Sequence, residues 1–194
     1  MKWPRLVLLI TLACLLGIGL FEPVVHAEDK STVERYKPGL GVSSVFTQGC
    51  KKFESHDFED AVHDLSTAIK MDPKFARAYY VRACCRHLLK DYQGALADCN
   101  TAISLEPSGP IFYFERAVTE SRINQLDDCI KDCDTALRLA PTFPESYICR
   151  AHAKSKKGDR DGALRDCETY LRAKPDNEQA LKFKTRLLSG GWGL

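Results

Sequence analysis

Nine cysteines and five histidines are the residues of this chain best equipped for chemistry. Cys129 and Cys133 stand one helical turn apart, a spacing from which two thiolates could reach a soft metal ion, but no histidine accompanies them at ligand spacing. His56, His63, His87 and His152 are scattered, with no His-Glu-x-x-His pair among them. A Cys-x-x-Cys redox pair, a Gly-x-Ser-x-Gly elbow and a phosphate-binding P-loop are likewise missing from the sequence. Isolated carboxylates such as Glu115 and Glu120 read as helix-surface residues. The sequence therefore advertises no catalytic centre, no metal site and no cofactor. Cys99, Cys133 and Cys167 recur every 34 residues, which assigns them one interior slot repeated along the chain. Equivalent slots in neighbouring units lie ~8–10 Å or more apart, beyond the ~7 Å that a disulfide tolerates between Cα atoms. Cys50 and Cys84 share a second slot, and Cys85 and Cys149 have no partner that the sequence identifies. Mostly free thiols are expected.

That recurrence extends to the elements that must position these side chains. Pro73, Pro107, Pro141 and Pro175 are also 34 residues apart, and with each proline as position 32 the units are 42–75, 76–109, 110–143 and 144–177. Position 8 reads Gly49, Ala83, Ala117, Ala151; position 20 reads Ala61, Ala95, Cys129, Ala163; position 27 reads Ala68, Ala102, Ala136, Tyr170. Small residues at three fixed places let two helices cross closely, and a large residue at position 28 fills the space beside them. Tyr170 breaks the pattern where a looser end would admit it. Each unit reads as two helices of about 14 residues at the 3.6-residue period. Asp57, Asp91 and Asp159 stand as N-caps of second helices, Asn124 and Gly158 suit a left-handed turn, and Pro110 and Pro144 open first helices. Residues 178–188 read as a closing helix and 189–194 as a loose tail.

Four in-phase units of this kind resemble the tetratricopeptide repeat family, over 42–177 and the closing helix. The departures are Val45, Tyr79, Tyr113 and Tyr147 where the family has tryptophan, and Cys129 and Tyr170 at alanine positions. The resemblance implies an all-α fold, a right-handed α-solenoid of four 34-residue helix-turn-helix repeats plus a C-terminal capping helix. It also implies a non-catalytic scaffold whose first helices line a concave groove for peptides or partner helices. Here that groove would present Phe46, Cys50, Phe53, Tyr80, Cys84, His87, Phe114, Val118, Ile148 and His152. Some family members clamp a carboxyl-terminal carboxylate through lysine, arginine and asparagine. The corresponding residues in this chain are Phe46, Cys50, Val81, Ile111 and Glu115, none of which matches.

Charges repeat as well. Position 23 is Asp64, Asp98, Asp132 and Asp166, and position 7 is Gln48, then Arg82, Arg116, Arg150 and Lys184. Pairing each aspartate with the cation of the following repeat uses every charge and accounts for Gln48, since the first repeat has no predecessor. The expected ladder is Asp64–Arg82, Asp98–Arg116, Asp132–Arg150 and Asp166–Lys184.

At the N-terminus, Lys2 and Arg5 precede the 16-residue apolar stretch Leu6–Phe21, which Glu22 and Pro23 end. As a helix it would span ~24 Å, short of a ~30 Å hydrocarbon core. Residues 1–27 read as a cleaved export signal and 28–41 as a polar leader, the alternative being an uncleaved anchor through residues 6–21. Either reading puts the rest outside the cytoplasm, secreted or periplasmic, with basic residues left inside. The net charge of +2, without basic or acidic runs, argues against nucleic acid or an anionic membrane as a partner. The expected function is an extracytoplasmic scaffold that binds an apolar peptide or partner helix. The alternatives are a thiol-redox or metal-handling protein built on the eight cysteines beyond residue 27, and self-association through the last helices.

Overall fold

A computed structural model describes residues 39–189; the expected export signal, nearly all of the leader and residues 190–194 lie outside the described residues. Within them the chain forms nine helices and no strand. They are α1 (Leu40–Glu54), α2 (Phe58–Met71), α3 (Ala76–Leu88), α4 (Tyr92–Leu105), α5 (Pro110–Arg122), α6 (Leu126–Leu139), α7 (Pro144–Lys156), α8 (Arg160–Ala173) and α9 (Glu178–Ser189). Successive helices pack on one another in chain order, α1 on α2 through to α9 on α8, which makes an α-solenoid of helix pairs.

The turns inside the pairs follow one design. The residue at position 15 is left-handed in every repeat: His56 at φ 66°, Lys90 at 65°, Asn124 at 63° and Gly158 at 88°. Asn124, Gly158 and His56 suit that region, whereas Lys90 adopts it against its own preference. The second helix then begins. Asp91 accepts the Gly94 N–H at 3.0 Å and Asp159 accepts the Gly162 N–H at 2.9 Å. A Cβ on either glycine would stand 2.1 Å from the capping carboxylate. Asp60 occupies the same position in the first repeat and carries such a Cβ. Asp57 accordingly does not cap; its carboxylate accepts the Ser55 hydroxyl at 2.7 Å instead. Pro110 and Pro144 are the first residues of α5 and α7, where a missing N–H costs nothing. All four second helices end two residues before their proline.

The small positions are buried in every repeat, and they compensate for one another. A Cβ on Gly49 would lie 2.9 Å from Leu65 Cγ. The other repeats place alanine at position 8, and they place cysteine opposite it at position 24: Ala83 with Cys99, Ala117 with Cys133, Ala151 with Cys167. This swap of volume explains the recurring thiols as packing. Tyr170 occupies no loose end: it is 1% exposed and its hydroxyl accepts a hydrogen bond from Asn177 Nδ2 at 3.2 Å. The Arg160 guanidinium donates to the carbonyls of Leu187 and Leu188, satisfying acceptors at the end of α9 and tying that helix to α8. No described helix is long and apolar enough to cross a membrane.

Candidate partner-binding surface

The charges that fix the register pair differently from the sequence expectation. Arg82 donates from Nε and Nη2 to both oxygens of Asp98, at 2.9 and 2.7 Å. Arg116 does the same to Asp132 at 2.5 and 2.8 Å, and Arg150 to Asp166 at 2.8 and 2.6 Å. Each arginine thus grips the aspartate of its own repeat, and the expected pairs Asp64–Arg82, Asp98–Arg116, Asp132–Arg150 and Asp166–Lys184 do not form. Positions 7 and 23 lie on the two helices of one hairpin, 16 residues apart, so the nearer carboxylate is the internal one. The link between repeats comes from the remaining guanidinium nitrogen, which reaches back to position 25 of the previous repeat. Arg82 Nη1 donates to Ser66 Oγ at 2.9 Å, Arg116 Nη1 to Asn100 Oδ1 at 2.6 Å, and Arg150 Nη1 to Asp134 Oδ1 at 2.5 Å. Lys184 continues the row with Glu168 at 2.8 Å.

Position 11 supplies a second cation to the same aspartates: Lys52 to Asp64, Arg86 to Asp98 and Lys154 to Asp166, each at 2.8 Å. Lys52 holds the Asp64 carboxyl below its ordinary range. Each arginine also lies over the position-4 tyrosine of its own helix, Arg82 on Tyr79 at 5.6 Å, Arg116 on Tyr113 at 5.7 Å and Arg150 on Tyr147 at 5.4 Å. Tyrosine therefore does at this position what a tryptophan face could do, and it leaves a stack of planar groups along the solenoid.

The third repeat breaks the charge pattern. Glu120 takes position 11 there, is 7% exposed, and has one carboxylate oxygen without a hydrogen-bond partner. Burial, with the charge of Asp132 added, pushes its acid group up to about 8. Glu115, at position 6, is fully buried, and burial likewise pushes it up to about 8. Neither is a surface residue as the sequence suggested. His87 stands 3.9 Å from Glu115. Burial and the charge of Arg122 press its pKa down to about 4, so at neutral pH it is an uncharged imidazole beside a protonated acid. The Thr119 hydroxyl donates to the Glu115 carbonyl at 3.0 Å and so accepts from His87 Nδ1 at 2.9 Å.

The stripe expected to line a groove is closed along its middle. Phe46, Cys50, Phe53, Tyr80, Cys84, His87, Phe114, Val118 and Ile148 are all buried, and only His152 is half-exposed. These side chains seal one first helix to the next or to its partner helix. Tyr80 meets Phe112 at 5.7 Å, Phe46 meets Phe75 at 4.7 Å, Phe114 meets Phe143 at 4.9 Å, and His152 stacks on Phe183 at 4.0 Å. They cannot serve as open contacts, because the following repeat already occupies the space in front of them. Access remains at position 13 of the first helices and in part at position 2 of the second and third repeats, whereas Glu145 at position 2 of the fourth is buried. Arg77, Ile111 and Leu88 are half-buried there, and Arg122 and Lys156 are exposed.

All eight described cysteines are buried and unbridged. Cys129, Cys133 and Cys149 converge, with every sulfur within 4.8 Å of the other two. The sequence reading paired the first two and missed the third, which the next repeat contributes.

Stacked helix pairs, linked by one arginine at each of the first three boundaries and by Lys184 at the fourth, define an α-solenoid. The tetratricopeptide repeat family model matches residues 46–110 of the chain, which is similar to that family over this stretch. Its fold is shared with several solved structures. The structure of PilW, a widely conserved type IV pilus biogenesis factor, superposes with a TM-score of 0.72 at 22% identity, covering 79% of this chain and 72% of that one. The crystal structure of MamA gives 0.65 at 20% identity over 77% and 86%. The first such domain of Spaghetti (RPAP3), bound to the HSP90 peptide SRMEEVD, gives 0.59 at 22% identity over 60% and 93%. Among curated proteins nothing matches the sequence.

Proposed function

We propose that this protein is an extracytoplasmic scaffold that holds a peptide segment or helix of another protein along its row of first helices. The observation that carries this reading is the row itself: α1, α3, α5 and α7 touch in succession, with Arg122 and Lys156 exposed at position 13 of α5 and α7 and Arg77, Leu88 and Ile111 half-buried on α3 and α5. A solenoid has a long, continuous surface, and a partner laid along it gains several weak contacts at once. The fold is the one that carries the HSP90 peptide in RPAP3, which supports a protein as the partner. Because the apolar stripe is sealed, the contacts assigned here are the half-buried Arg77, Leu88 and Ile111 and the exposed Arg122. Aliphatic groups beside guanidinium groups suit a partner with both apolar and acidic side chains. Export rests on Lys2, Arg5 and the apolar stretch Leu6–Phe21.

The test is affinity capture from an envelope or secreted fraction, with the wild type beside a Leu88→Ser, Arg122→Glu variant of equal helicity and melting temperature. A partner kept by the wild type and lost by the variant supports the reading. Equal capture by both contradicts it.

A further inference from the structure

Where one repeat meets the next, three slots face one another: positions 20 and 24 of one repeat and position 6 of the following unit. They hold Ala61, Leu65 and Val81 at the first boundary, and Ala95, Cys99 and Glu115 at the second. At the fourth they hold Ala163, Cys167 and Phe183. Only the third boundary fills all three with thiols: Cys129, Cys133 and Cys149. Packing accounts for the thiol at position 24, as above. It does not account for the other two, since alanine serves at position 20 in the remaining repeats and position 6 takes valine, glutamate or phenylalanine at the other boundaries.

The geometry is that of a ligand set. Cys129 and Cys133 lie one turn apart on α6, Cys149 faces them from α7, and all three are 0% exposed. Cys129 Sγ and Cys149 Sγ are 3.8 Å apart, and all three sulfurs lie within 4.8 Å of one another. Three sulfurs on a shared ion at the ~2.3 Å typical of metal–thiolate bonds would be ~3.8–4.0 Å apart. The triangle therefore needs to close by less than about 1 Å.

The donor set selects the ion. Thiolates without nitrogen or oxygen partners suit soft ions such as copper(I), zinc and iron–sulfur clusters. Structural zinc takes four protein ligands and iron–sulfur clusters are held by four cysteines. Among the described residues the group comprises these three sulfurs alone, and complete burial denies a fourth position to water. Closed-shell copper(I) is satisfied by three sulfurs. We propose that Cys129, Cys133 and Cys149 form a three-sulfur site for a soft monovalent cation, copper(I) being the ion its donors fit. Binding replaces up to three S–H protons by one copper(I), releases those protons to solvent, and transfers no electron. The site does not depend on the scaffold reading. Because it is sealed, the ion enters during folding or when α6 and α7 part.

The test uses the reduced full chain without oxygen. Copper(I) is offered against a chromogenic copper(I) chelator, both to folded protein and during refolding. One equivalent is expected to be retained, with a thiolate-to-copper absorption band and a raised melting temperature. Cys129→Ala and Cys149→Val place in these slots residues that the chain itself uses at other boundaries, so the fold should survive. Loss of an outer-shell partner alone typically costs ~10–100-fold in metal affinity, so each variant is expected to lose ~100-fold or more. Cys50→Ala, outside the triangle, should bind as the wild type does. No retention by either route, unchanged affinity in helical variants, or preferential retention of zinc(II) would overturn the proposal.

Discussion

Arg116 and Asp132 face each other within one hairpin through two parallel hydrogen bonds of 2.5 and 2.8 Å, while the third nitrogen of the same guanidinium reaches Asn100 in the preceding repeat at 2.6 Å. One side chain thereby sets the spacing of two helices and the register of two repeats. A lysine in its place could keep a charge but not the fork geometry, and Lys184 shows this: it reaches Glu168 of the repeat before and is not paired with Asp166.

The two halves of this clamp differ in burial, and so in what they contribute. The side chain of Asp132 is 10% exposed, whereas Asn100 lies at the surface. Arg116→Ala leaves Asp132 facing Glu120 with no cation of its own, and should cost about 2–3 kcal/mol in urea unfolding. Asn100→Ala should cost under about 1 kcal/mol. A double-mutant cycle is expected to give a larger coupling for Arg116 with Asp132 than with Asn100; the reverse order would mean that the link between repeats is the dominant one.

Volume compensation between positions 8 and 24 predicts a rescue. Gly49→Ala drives a Cβ to 2.9 Å from Leu65 Cγ and is expected to destabilise the first repeat by ~1–2 kcal/mol. Adding Leu65→Cys recreates the alanine–cysteine pair of the other repeats and should recover most of that loss. Thermal unfolding of the two single variants and the double variant checks this, and additive losses would refute it.

The buried acid of Glu115 makes stability depend on pH in a definite direction. Its folded value of about 8 lies above the ordinary 4.5, so the native state keeps a proton that the unfolded chain releases. Its contribution is complete below 4.5 and is lost as pH rises through 8, at up to about 1.4 kcal/mol per pH unit. His87 works at the other end: depressed to about 4 from 6.5, its contribution is present above 6.5 and lost as pH falls through 4. Glu115→Gln should flatten the decline between pH 4.5 and 8 and raise the denaturation midpoint at pH about 8 relative to the wild type, while leaving the contribution of His87 in place. An unchanged slope would show that Glu115 ionises freely in the fold.

The helices were legible because a 34-residue period with alanine, glycine and proline at fixed positions specifies close crossings and stops. What failed were the inferences about which neighbouring helix a charged or groove-facing side chain meets. The charge ladder went wrong because positions 7 and 23 repeat equally in both directions, and a period cannot say whether a partner lies within the hairpin or across the boundary. The cations Lys52, Arg86 and Lys154 at position 11 were the available signal, since they already supply Asp64, Asp98 and Asp166 within each repeat. The stripe from Phe46 to His152 has the spacing of a helix face, but spacing does not reveal that the next helix lies on that face. Glu115 and Cys149 were misread or missed for the same reason, each meeting a thiol of the preceding repeat.

The most direct test of the scaffold reading is site-specific photo-crosslinking of the full chain in an envelope or secreted fraction. The crosslinker is placed at Arg122, at the open end of the first-helix row, or at Arg138, exposed on α6. The account predicts a discrete protein adduct from residue 122 and none of that kind from residue 138. An adduct formed from 138 alone, or equally from both, would contradict it.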